Sequence, residues 1–304
     1  MVLAQQMAIL FIIMGIGFFC GKKEFITDGF ARNLSWLVVN VATPAMILAA
    51  GMNEESAIRG KELLYAFGVI LLVYVFLIAI SFVILPFLRI PSEDKGVYRV
   101  MFIFSNIGFM GLPLLQAAYG DEALLYGALF QFPFNFLIYT YGIAALRGEN
   151  PLQSGFKLSK FLNVGIVSCV LSIIIYVFGI PMPGFIVSSC KSLGSLAAPL
   201  SMIVIGQSMT HMKLKDMFGD IRLFVFSLVK QILVPIVGVL FLGLIIKDDT
   251  LIRTCFVMIS VPVASMCAML SRQYGGNYRL ASKGVALSTL LSVVTIPLVS
   301  LIFF

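Results

Sequence analysis

The chain has 304 residues, 60% of them hydrophobic and only 12% charged, with a formal net charge of +7 and a mean hydropathy of +1.05. That balance excludes a soluble globular domain. The basic excess is scattered through connectors without forming a patch, which argues against a nucleic-acid partner.

Apolar runs of about 20 residues, the length that crosses a bilayer core, recur at 3–20, 31–51, 63–87, 97–119, 123–145, 161–180, 191–210, 222–246, 252–271 and 280–303. They predict an all-α polytopic membrane protein of ten transmembrane helices. Span 1 has no basic residue before it and Lys22–Lys23 behind it, which reads as an uncleaved helix and not as a signal peptide. The connectors after the odd spans hold fifteen Lys and Arg, including Arg32, Arg89, Lys95, Arg99, Lys157, Lys160, Lys213 and Lys215. Those after the even spans hold five: Arg59, Lys61, Lys191, Lys247 and Arg253. Lys and Arg concentrate in cytoplasmic loops, so both termini are expected outside a cell (plasma) membrane.

Span 2 carries Asn40 and, four residues on, Pro44. Span 4, VYRVMFIFSNIGFMGLPLLQAAY, is apolar yet holds Asn106, Gly108, Gly111 and Pro113 at its centre. Pro113 lacks an N–H and clashes with the carbonyl of Phe109, while the glycines let the chain unwind. A broken helix leaves free N–H groups and a positive dipole end that suit an anion; a simple kink with tight packing is the plainer alternative. In span 5, Asn135 and Tyr139 share a helix face near Pro133, where they line a cavity or bond between helices. Span 7 repeats a proline at Pro199. Span 8 holds Lys230 about 12 Å from its start at 1.5 Å per residue. An intramembrane lysine is costly; it serves a substrate carboxylate, pairs with broken-helix carbonyls, or snorkels to the interface. Span 9 is interrupted at Pro262 with Ser260, Ser265 and Ser271 beside it, and serines in such helices often bond their own backbone. In span 10, Ser288 and Ser292 share a face, with Thr295 next along it.

The halves match each other. ATPAMILAAGM (42–52) aligns with AAPLSMIVIGQSM (197–209), pairing Pro44 with Pro199, and Tyr119–Gly120 aligns with Tyr274–Gly275. Five spans per half make the second copy inverted, so residues 1–150 and 151–304 are expected to be two inverted five-helix repeats. Two interrupted segments in corresponding positions point to a transporter's substrate site.

The segments VNVATPAMIL (39–48), SNIGFMGLPLL (105–115), LVKQILVPI (228–236), VPVASMCAMLSRQY (261–274) and STLLSVVTIPL (288–298) resemble the auxin efflux carrier family, bacterial relatives of the plant PIN-type carriers, over essentially the whole chain. The resemblance implies broken helices 4 and 9 that cross at mid-membrane. It also implies a scaffold of spans 1, 2, 6 and 7, a moving transport domain of spans 3–5 and 8–10, and a homodimer through the scaffold. Its members carry small organic anions. Connector 146–160 is short, unlike the long cytoplasmic loop of the plant carriers.

Absences narrow the mechanism. All fourteen Asp and Glu lie in connectors or at their edges, so no buried carboxylate is offered to a coupling ion. A sodium site of carbonyl and hydroxyl oxygens, or coupling to protons, stays open. His211 is placed at an interface, and Cys20, Cys169, Cys190, Cys255 and Cys267 show no CxxC spacing. No cofactor, metal site or catalytic group is expected, which speaks against an enzyme. The expectation is an alternating-access, elevator-like carrier of mono- or dicarboxylates. Its substrate would sit among Asn106, Gly108, Gly111, Pro113, Asn135, Lys230, Pro262, Ser265 and Ser288, with Pro44 and Pro199 as hinges. A passive channel or a ligand-sensing receptor using the same residues is the alternative.

Overall fold

A computed structural model describes residues 2–52, 60–148, 164–211 and 219–304. Most of connector 146–160 lies outside the described residues, as do Arg59, Lys157, Lys160, Lys213 and Lys215. The described residues are helical, with no strand beyond one isolated residue pair. Among the described residues seven helices are long and apolar enough to cross a membrane. In chain order the elements are α1 (Leu3–Lys22), α2 (Asp28–Gly51), α3 (Lys61–Leu88), α4 (Lys95–Ile103), α5 (Ile107–Arg147) and the shorter α6 (Val164–Phe178). There follow α7 (Gly184–Ser208), α8 (Ile221–Gly243), α9 (Asp249–Ser260), α10 (Ser265–Gln273) and α11 (Tyr278–Phe303). The outer surface is strongly apolar, with Phe19, Val75, Leu240 and Leu301 all exposed, as expected of a surface that meets lipid and not water.

Helix packing follows the glycines. A Cβ on Gly17 of α1 would run into the backbone of Ile203 in α7, and one on Gly206 into that of Met14. Such close approach lets dispersion forces and short contacts replace the hydrophobic drive that is missing between helices in lipid. The second half of α2 packs on α6 and α7 in the same manner, with Gly51 against Ser172, Gly194 against Met46, and Ser172 Oγ donating to Ile47 O at 2.8 Å. Around α4 the packing is aromatic: the Tyr98 and Phe226 rings meet edge-on at 5.0 Å, and Phe104 meets Phe134 at 5.5 Å.

Three prolines share one local solution. In α2, α5 and α8 the residue just before Pro44, Pro113 or Pro235 donates its N–H five residues back: Thr43 to Val38, Leu112 to Ile107, and Val234 to Val229. This single π-helical turn widens the helix where the proline ring would meet the carbonyl four residues earlier. Pro113 therefore sits in the first turn of regular α-helix and is not where the segment breaks. The break comes earlier, at Phe104–Asn106, where Phe104 is extended (φ −99°, ψ 104°) and Asn106 caps the next helix. The second break, Val261–Ala264, does follow from its proline. The residue before proline is pushed out of the α region, and Val261 has φ −60° and ψ 150°.

The two breaks meet. Ser105 and Val263 form an isolated antiparallel pair, Asn106 N donates to Pro262 O at 2.7 Å, and Ala264 N donates to Phe104 O at 3.0 Å. Ser288 Oγ accepts from Val263 N at 3.1 Å. Fully buried Lys230 donates from Nζ to Phe102 O at 3.2 Å and Ser105 Oγ at 2.8 Å. It does not snorkel; it places a cation at the C-terminal, negative end of α4, where helix carbonyls lack intrahelical donors.

Three substitutions test these contacts. Gly206→Ala should lower the apparent melting temperature in detergent although alanine is the better helix former, whereas Gly15→Ala, whose Cβ meets nothing within 4 Å, should be neutral or stabilising. Equal effects would contradict the close-packed α1–α7 seam. Lys230→Met leaves Phe102 O and Ser105 Oγ without their donor and should cost about 3 kcal/mol of stability; an unchanged melting temperature would contradict the capping role.

Candidate functional site

The site is defined by which polar groups remain after the breaks have satisfied each other. Asn106 is 5% exposed, and its Oδ1 accepts from Phe109 N at 3.3 Å, the usual work of a helix N-cap. Its backbone carbonyl accepts from Met110 N and Gly111 N. Among the described residues its amide Nδ2 donates to no protein group, and the Gly108 N–H in the first turn meets no acceptor. The nearest atom to a Cβ built on Gly108 is Gln131 Nε2, at 3.9 Å. Gln131 Oε1 accepts from Asn135 Nδ2 at 3.3 Å, which leaves Nε2 free to donate. Three donors without acceptors thus surround the start of α5.

The remaining expected residues have varied placements. Asn135 is turned back on its own helix, with Nδ2 donating to Gln131 O at 2.7 Å, and so orients Gln131. Gly111 faces the Met258 sulfur of α9, 2.9 Å from its built Cβ, which is a packing contact. Pro113 is buried in its helix, and Pro262 contributes its carbonyl to the pairing of the breaks. Ser265 is exposed at the first position of α10, three residues past Pro262. The Ser288 hydroxyl donates to Val285 O at 3.1 Å while holding Val263 N, so both its roles are structural. Pro44 lies after the π-turn of α2, and Pro199 just after the loosened turn Ser195–Leu196 of α7. Both prolines thus stand at helix irregularities.

Sequence reasoning missed Gln131, hidden in the run FQFPFNF; its position four before Asn135 was the available signal. It also missed Ser105, the shared partner of Lys230, and Cys267, whose Sγ lies 3.7 Å from Val100 O and 3.8 Å from Phe104 O. Gln231 Nε2 donates to Ser288 O at 2.6 Å and ties α8 to α11. Gln231 Oε1, Ser260 Oγ and Thr295 Oγ1 are buried without a protein partner. Among the described residues no group of three His, Cys, Asp or Glu could hold a metal ion. Among the described residues the arrangement presents donors and one buried cation with no carboxylate beside them.

Comparison with known proteins agrees with a transport role. A relative from Methanocaldococcus jannaschii, named as an uncharacterized transporter, is 26% identical over 302 residues and spans 95% of each chain. A second, from Rhizobium meliloti (strain 1021), bears the name "Putative malonate transporter" and is 25% identical over 287 residues, 89% of this chain and 87% of its own. The family model described as "Membrane transport protein" matches residues 2–153 and 152–300, and the chain belongs to that family, the auxin efflux carriers whose motifs it carries.

Proposed function

We propose that the protein is a secondary carrier of small organic anions, mono- or dicarboxylates, that binds its substrate beside the paired breaks and moves it by an elevator-like alternating access. The observation that carries this reading is the set of unspent donors: Asn106 Nδ2, the Gly108 N–H and Gln131 Nε2. A carboxylate supplies the acceptors all three lack, and the N-terminal end of α5 adds the favourable end of a helix dipole. Lys230 donates to Ser105, the residue before Asn106, and contributes positive potential with no paired acid among the described residues. The malonate in the name of the Rhizobium meliloti relative supports a short dicarboxylate.

The same reading takes α4 with the first part of α5, and α9 with α10, as single crossings, and divides α5 at Gly120. Ten crossings result, arranged as two inverted repeats of five with both termini outside the plasma membrane. Gly120 has φ 78° and Gly275 φ 85°, so each Tyr–Gly pair ends its interrupted segment at a positive φ that glycine takes without strain. This likeness supports the repeat. The tightly packed group α1, α2, α6 and α7 serves as scaffold and dimer surface, and the elements around the breaks move against it.

Counterflow in proteoliposomes tests the proposal. Labelled malonate should enter saturably and faster when unlabelled malonate is inside. Asn106→Ala and Gln131→Ala should each raise KM about tenfold, the loss of roughly one charge-assisted hydrogen bond. Gln131→Ala should leave the melting temperature unchanged, and Asn106→Ala should lower it through the loss of one helix cap, about 1 kcal/mol. Flux that rises linearly without counterflow would make the protein a channel, and binding without flux a receptor. Preference for neutral or cationic solutes would overturn the anion reading.

A further inference from the structure

A cavity rich in cationic side chains lies at the far end of α3. The helix closes in a tight turn at Leu85–Leu88, and Arg89 follows in the left-handed region, φ 48° and ψ 47°, an uncommon conformation for a residue with a side chain. Behind it lies a cavity of about 330 Å³ lined by Leu85, Pro86, Arg89, Ile90, Lys95 and Arg99.

The charges around this cavity are arranged against their own interest. Lys95 and Arg99 are four apart on α4, so two cations share one helix face. They also occupy the first turns of that helix, where the dipole is positive and acids are the favoured residues. Among the described residues no carboxylate pairs with Arg89, Lys95 or Arg99. Asp94, next to Lys95, accepts instead from Asn277 Nδ2 at 3.0 Å, and Glu93 is exposed. The Arg99 guanidinium is held by stacking 4.3 Å over the Phe82 ring, yet its Nε is buried with no hydrogen-bond partner. Three cations thus line one cavity, Arg89 and Lys95 exposed and Arg99 stacked in place with an unspent buried donor.

We infer that this cavity binds the phosphate of an anionic membrane phospholipid. Phosphate oxygens take the Arg99 Nε–H and the charges of Arg89 and Lys95, while Leu85, Pro86 and Ile90 cover the glycerol end. The lipid source is favoured because the mouth adjoins an apolar outer face: Val83 is 61% and Phe87 81% exposed on the same turns of α3. Acyl chains laid along that face stay in the hydrocarbon while the headgroup turns inward.

The test uses the full-length protein in a neutral detergent, titrated with short-chain phosphatidylglycerol, with phosphatidylcholine of equal chain length, and with inorganic phosphate. Phosphatidylglycerol should raise the melting temperature saturably and phosphatidylcholine should not. The apparent Kd should weaken about tenfold or more in the double variant Arg89→Gln/Lys95→Gln and in Arg99→Gln, since each removes a charge-assisted contact. A control, Lys22→Gln/Lys23→Gln, removes two charges elsewhere and should keep the wild-type Kd. Should the variants misfold, inorganic phosphate competing poorly against phosphatidylglycerol on the wild type still supports a lipid site. No shift with phosphatidylglycerol, or equal loss in the control, would overturn the site; inorganic phosphate binding as tightly as the lipid would overturn the lipid assignment.

Discussion

Everything distinctive in this protein depends on one constraint: a helix interrupted in an apolar setting must find partners for the backbone groups it frees. Here two interruptions, more than 150 residues apart in sequence, supply each other. Phe104 and Asn106 exchange hydrogen bonds with Ala264 and Pro262, while Ser288 and Lys230 take the groups that this exchange leaves over. Lys230 completes the arrangement electrostatically by setting a cation against the carbonyl end of α4. The pairing is thus an internal scaffold, and most polar atoms near it are spent on holding it.

The same accounting separates structure from chemistry. Serines and asparagines in these helices would all look like ligands to a reader counting polar residues. Ser288, Ser271 and Asn135 are instead bonded to backbone in their own or neighbouring segments. Three donors without an acceptor, Asn106 Nδ2, the Gly108 N–H and Gln131 Nε2, stand around the first turn of α5, and they carry the functional reading. Glycine is divided in the same way: Gly111 is consumed by contact with Met258, whereas Gly108 has room beside Gln131.

Much of this was legible in the sequence, for identifiable reasons. Hydrophobic runs separated by charged connectors mark helices whether or not their packing is known, and Pro262 ends its helix by a local steric rule. Lys230 announces itself because a charge inside an apolar run demands a partner. The first break was misplaced because Pro113 looks like a helix breaker, while a π-helical turn lets it sit in regular helix. The true break, at Phe104–Asn106, depends on pairing with a distant segment, and no local pattern encodes that. Gln131 was hidden for a related reason: its importance comes from lying across from Gly108, a tertiary fact.

The central claim is that the unspent donors beside the paired breaks hold the substrate carboxylate. A structure of the protein with bromomalonate, its bromine located by anomalous scattering, tests this most directly. The account predicts bromine density next to Asn106, Gly108 and Gln131, lost in Asn106→Ala. Density instead in the cavity lined by Tyr119, Arg253 and Phe304, or unchanged in the variant, would contradict it.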